Sequence, residues 1–162
     1  MTKAYRSGAI GALLDEYERA IADLIKVIEG IPDNALITIV DPHTSDDNCR
    51  SVQTVLTHVV HAGYGYATSI HNLKGHNKVR PGKTFHSTVS KYIDDLTGVF
   101  AYTEKVLMEF NDNDLEQFDN SLKIQAGWGQ VYDIEQMAEH AIVHILRHRR
   151  QLERFKIQLI SP

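Results

Sequence analysis

The sequence predicts an all-α protein built as a four-helix bundle. Three observations predict it: four stretches place apolar residues at alternating three- and four-residue spacing, cap or stop signals mark their ends, and 162 residues suffice for one domain with a single core. Amphipathic helices bury their apolar stripes most simply against one another. Residues 1–162 are accordingly expected to form one bundle domain.

The first helix is expected over 8–29, where Ile10, Leu14, Tyr17, Ile21, Leu24 and Ile28 share a face and Gly30 and Pro32 supply the stop. The second starts from Ser51 as N-cap and carries Val52, Val55, Leu56, Val59, Ala62, Tyr66 and Ile70 toward Gly75. The third begins near His86 and runs through Val89, Tyr92, Leu96, Phe100 and Leu107 to Phe110. The fourth opens at Asp133, with Gln136 three residues on as a capping-box partner, and continues to about Leu159. Residues 35–40 are a short β-branched run and residues 122–125 a second strand candidate, so a small ribbon joining them is expected. The connection 111–130 is long for a compact bundle and holds the only tryptophan, Trp128, read as a cap on the apolar end of the bundle in preference to a ligand contact.

Composition removes several functional classes. Lys and Arg number 17 against 21 Asp and Glu, a net charge of −4, and no block of like charge is long enough to grip nucleic acid or a membrane surface. No apolar run approaches the roughly 20 residues that span a bilayer, and the first residues lack a signal-peptide pattern, so a cytoplasmic location is expected. The single cysteine, Cys49, excludes an internal disulfide, and its polar surroundings mark a surface thiol rather than a nucleophile.

The chemistry lies in the fourth helix, where His140, His144 and His148 recur every four residues. Side chains at i and i+4 stand one above the other, and imidazole is the commonest metal ligand. Ile134, Ala138, Ala141, Ile145, Leu152, Phe155 and Leu159 define the core-facing seam, and His148 falls on it, where burial requires a polar partner or a metal. His144 lies about 40° to one side and His140 about 80° away. His140 shares its column with Asp133, Arg147 and Arg154, so it is read as a surface or supporting group. On the second helix His58 borders the apolar face among Thr54, Ala62, Gly65 and Ser69, whose small size leaves room for a pocket. His61, about 60° away, is the weaker choice as ligand and otherwise a rim group. Spacing alone leaves two readings open: hydrogen-bonded core histidines, or a metal site of His58, His144 and His148.

The segment Ser51-Val-Gln-Thr-Val-Leu-Thr-His58, followed by Val-Val-His-Ala, together with His144-x-x-x-His148-Arg-Arg-Gln151, resembles the DinB/YfiT-like metalloprotein superfamily of four-helix bundles. The resemblance implies a bundle of unusual helix order with one divalent ion, zinc, nickel or iron, held by His58, His144 and His148. Arg150 stands where that family usually has glycine. Three protein ligands leave an open position, the arrangement of catalytic rather than closed structural sites. An acidified water there gives a hydrolase, and an acidified thiol gives a thiol-dependent transferase. Relatives implied by the resemblance include low-molecular-weight-thiol S-transferases, which favours the second chemistry and a small-molecule substrate, with a homodimer as the accompanying expectation. Glu135, Glu139 and Asp133 are read as a solvated face pairing with arginines. A di-iron site is discounted because neither Glu135 nor Glu139 precedes His144 or His148 by three residues. The competing reading is a non-catalytic bundle that binds a ligand or self-associates, with a structural metal or none.

Overall fold

The computed structural model describes residues 4–160. Four helices carry the fold: α1, Gly8–Ile28; α2, Val52–Asn72; α3, Val89–Leu107; and α4, Ile134–Ile160. A two-stranded antiparallel ribbon joins β1, Ile124–Gln125, to β2, Val131–Tyr132, with Ile124 opposite Tyr132. The chain is thus the expected all-α bundle with a short ribbon.

Helix starts follow local chemistry. Ser51 Oγ accepts the Thr54 N–H at 3.2 Å while Thr54 Oγ1 accepts the Ser51 N–H at 3.0 Å, a reciprocal cap that opens α2. Asp133 and Gln136 make the same exchange ahead of α4, at 2.9 and 3.1 Å. α1 has no cap of its own and borrows one, since the Asp112 carboxylate accepts the N–H groups of Ala9 and Ile10, each at 3.0 Å. α3 begins at Val89 rather than near His86, because Asp33 Oδ1 takes the Val89 N–H at 2.7 Å and the His86 N–H is already given to the Tyr92 hydroxyl.

One expectation is corrected. Residues 35–40 form no strand: Asp33–Ala35 is a 3₁₀ turn, Ala35 and Leu36 are both buried, and Ile37 and Ile39 stand exposed. Two adjacent inward residues break the period of two that a strand needs. The partner of 122–125 is instead the segment just before α4.

Two apolar clusters fix the helix directions. Ile10 and Leu14 of α1, Ile70 of α2, Val106 and Leu107 of α3, and Ile134 and Met137 of α4 share one end. Leu24 and Ile28, Val52 and Leu56, Val89 and Tyr92, and Leu152 and Phe155 share the other. α1 therefore runs with α4, and α2 and α3 run together in the opposite direction. α1 and α2 each pack on both α3 and α4, leaving α1 diagonal to α2 and α3 diagonal to α4. Two of the three connections cross an end of the bundle diagonally, and the third, residues 73–88, must return along its whole length. That order accounts for connections longer than an up-and-down bundle requires.

The returning segment is a strap laid antiparallel along α2. Asn72 holds Lys78 through two hydrogen bonds, accepting its N–H at 2.9 Å and donating to its carbonyl at 3.0 Å. His61 Nδ1 donates to the Pro81 carbonyl at 3.0 Å, Thr57 Oγ1 to that of Thr84 at 3.4 Å, and Gln53 Nε2 to that of His86 at 2.9 Å. Side chains of one helix thereby satisfy backbone groups of an extended chain that has no sheet to join.

Candidate metal centre

α2 and α4 are neighbours, and their packing brings His58 against His144 and His148. One ring nitrogen from each lies within 4.8 Å of the others, a group able to hold a metal ion. His58 Nε2 and His144 Nε2 are 2.9 Å apart, and the three rings meet edge to face with centroids 4.5 to 5.1 Å apart. His148 occupies the seam position read for it and is 2 % exposed. Its Nδ1 lies 2.9 Å from Gln151 Oε1, so Nδ1–H donates to the amide oxygen and Nε2 is left bare as an electron-pair donor.

Burial controls the charge of this group. It pushes His58 down to about 4, with repulsion from His148 next in size, and His144 down to about 3 for the same two causes in the same order. His148 is lowered by burial, against which the Gln151 hydrogen bond works. At neutral pH all three rings are uncharged, the form that ligates. His58 Nε2 and His144 Nε2 share one hydrogen bond whose donor is set by the tautomer, and a buried His144 Nδ1 without a partner among the described residues leaves the polar accounting of the group incomplete with protein atoms alone. The donor set fits a divalent ion of the zinc, nickel or iron type, which accept imidazole.

The site opens into a cleft of about 710 Å³. His58, Ala62, Gly65 and Ser69 of α2 line one side, so the small residues around His58 do leave the space expected of them. Val79 and Arg80 of the strap form a second wall, and Gln125 to Trp128 a third. No aspartate or glutamate lines it.

Trp128 does not cap the bundle end. The turn closing the ribbon, with Gly129 at φ +93°, sets the indole beside α4, where it stacks on His140 with centroids 5.1 Å apart and planes 20° apart. It remains 51 % exposed and faces the cleft. Tyr66 meets Trp128, His140 and His144 edge-on, extending this aromatic wall to the metal centre. His140 is therefore outside the converging group, as read, and Arg147 and Arg154 of its column are exposed as expected, yet His140 itself is half-buried between Trp128, Tyr132 and Tyr66, and Asp133 is buried as the cap. His61, on α2, holds the strap through the Pro81 carbonyl and is not in the converging histidine group.

Other expectations change with the packing. Cys49 is buried, not superficial; burial raises its thiol pKa, and its carbonyl accepts from Gln151 Nε2 at 3.5 Å. Neither Glu135 nor Glu139 pairs with an arginine among the described residues; Arg149 instead bridges Asp23 of α1 and Glu153. Arg150 is exposed and lies away from the cleft lining.

A second group, not anticipated from sequence, brings His71, His76 and Glu109 within the same 4.8 Å limit. His71 ends α2, His76 lies in the strap and Glu109 follows α3, so no spacing rule connects them. His71 Nε2 is 3.3 Å from Glu109 Oε2; His71 is buried, which lowers its pKa, while His76 and Glu109 are exposed.

No helix among the described residues is long and apolar enough to cross a membrane. Compared with known proteins, the chain matches no protein-family model, and no curated protein matches it.

Proposed function

We propose that this chain is a DinB/YfiT-like, divalent-metal-dependent enzyme acting on a small molecule, with His58, His144 and His148 as the metal ligands. One observation carries the reading: three uncharged imidazoles from two helices converge at the wall of an open cleft. A divalent ion held there supplies Lewis acidity, which lowers the pKa of a thiol or a water. His58 reaches the cleft directly, Gln151 fixes the tautomer of His148, and the Tyr66 and Trp128 rings form one wall of the cleft.

Thiol transfer is favoured over hydrolysis by the cleft lining. Hydrolysis profits from a general base within hydrogen-bond reach of the attacking water, and the lining offers no carboxylate for it. A thiol acidified on entry is already a nucleophile and needs no such base. The same absence suits a ligand-binding module, so the two readings are separated by metal content and thiol binding.

Metal analysis of untagged protein is expected to find a divalent ion at stoichiometric level, lost in His148→Ala and retained in His140→Ala. Cobalt-substituted protein is expected to change its visible spectrum on saturation with a small thiol. Metal content that is indifferent to His148→Ala defeats the proposal. A site that holds cobalt but gives no thiol response leaves the ligand-binding module.

A further inference from the structure

The cleft continues beyond the metal centre, and its far end is built around Arg80. Strap residues 78–81 are clasped at both ends: Asn72 grips both backbone groups of Lys78, and His61 holds the Pro81 carbonyl. Between these anchors Gly65 leaves a gap on α2, which the Arg80 guanidinium occupies; a Cβ at residue 65 would lie 2.7 Å from Arg80 Nη1 and 3.1 Å from Cδ. The absence of a side chain at residue 65 thus lets a cation lie against the helix at a set height. Neither Arg80 nor the Lys78 ammonium has a hydrogen-bond or ion-pair partner among the described residues, and no carboxylate lines the cleft to neutralise them.

Gly65 follows His58 by seven residues, nearly two full turns, so Arg80 stands in almost the same column as His58 and about 10 Å along the helix from it. The space between is walled by Ala62, Val79, Tyr66 and Trp128, largely apolar surface. We propose that the cleft takes a small molecule with three parts: a metal-binding head at His58, an apolar middle along Ala62 and Trp128, and an anionic tail, carboxylate or phosphate, held by Arg80 with Lys78 beside it. A planar guanidinium presents paired donors that match either anion. The head of this molecule rests on the metal centre proposed above; the anion subsite does not. His61 and Asn72 act as positioning residues, holding the strap that aims Arg80.

The lone tryptophan lies in the cleft wall, so its emission reports occupancy. Metal-free protein titrated with octanoate, octyl phosphate and octanol is expected to bind the anions in preference to the alcohol. Arg80→Gln is expected to weaken the better anion by about tenfold or more and to leave octanol unchanged, the loss of one charge-assisted pair. Gly65→Ala keeps every charge but displaces the guanidinium, and should weaken the anions in the same direction. Which anion binds better identifies the tail as carboxylate or phosphate. Equal binding of all three probes, or anion affinity indifferent to Arg80→Gln, overturns the anion subsite. On cobalt-loaded protein, 8-mercaptooctanoate should bind about tenfold or more tighter than octanoate through its thiol. If that gain is missing while the Arg80 dependence holds, the metal head fails and the anion subsite stands.

Discussion

Gln151 shows how much one side chain decides at this site. A neutral imidazole carries its proton on either nitrogen, and only the tautomer with Nδ1–H offers Nε2 to an ion. Gln151 Oε1, 2.9 Å from His148 Nδ1, selects that tautomer, and its amide nitrogen is held by the Cys49 carbonyl. Gln151→Leu is expected to lower divalent-metal affinity by about 10- to 100-fold, and Gln151→Glu, which keeps an acceptor, to lose far less. Competition against a chromophoric chelator measures both; equal affinity in all three proteins shows that packing alone orients His148. The buried position of His148 was legible in the sequence because a polar residue on an apolar seam stands out. The role of Gln151 was not read from the sequence, although it ends the quoted motif, since a glutamine at i+3 in a helix is commonly solvated. The burial of Cys49 had no local signal at all, because it comes from α4 closing over a polar loop.

Among the elements, the helices were legible and their order was not. Apolar spacing and the reciprocal caps at Ser51 and Asp133 are local, so α1, α2 and α4 ended close to the expected boundaries. The strap has no periodicity because it buries no stripe of its own; its hydrogen bonds go to side chains spread along α2, pairings that sequence spacing does not reveal. α2 and α3 approach closely at Gly63. A Cβ there would meet Val99 Cγ1 at 2.6 Å and the Tyr17 hydroxyl at 3.3 Å. Gly63→Ala gains helix propensity but overpacks the α2–α3 contact, and a net loss of about 1–2 kcal/mol is expected in urea unfolding. Val99→Ala should relieve that crowding, so the double variant loses less than the two single losses added, by on the order of 1 kcal/mol. Strict additivity places the cost of Gly63→Ala elsewhere.

For the molecule as a whole, the buried group of His58, His144 and His148 makes folding sensitive to acid. In the unfolded chain the three histidines take protons near their ordinary pKa of about 6.5. In the folded chain burial holds His58 down at about 4 and His144 at about 3, with His148 also lowered. Between those limits the unfolded state binds more protons than the native one. Stability is therefore complete above about pH 6.5 and is lost as the pH falls toward 4, at about 1.4 kcal/mol per pH unit for each such histidine. Burial lowers His61, His71 and His140 as well, so a difference between proteins isolates the centre. In metal-free protein, His144→Gln is expected to reduce the slope of unfolding free energy against pH between 6 and 4.5 by about one histidine's share, roughly 1.4 kcal/mol per unit. An ion that binds only the folded, deprotonated site adds about 2.7 kcal/mol at a concentration one hundred times its dissociation constant, and protons compete with it. Zinc should accordingly raise the urea midpoint more at pH 7.5 than at pH 5.5 in the wild type, and at neither pH in His148→Ala. An unchanged slope in His144→Gln assigns the acid sensitivity to the other histidines. A zinc effect that survives His148→Ala moves the stabilising ion to the His71, His76 and Glu109 group.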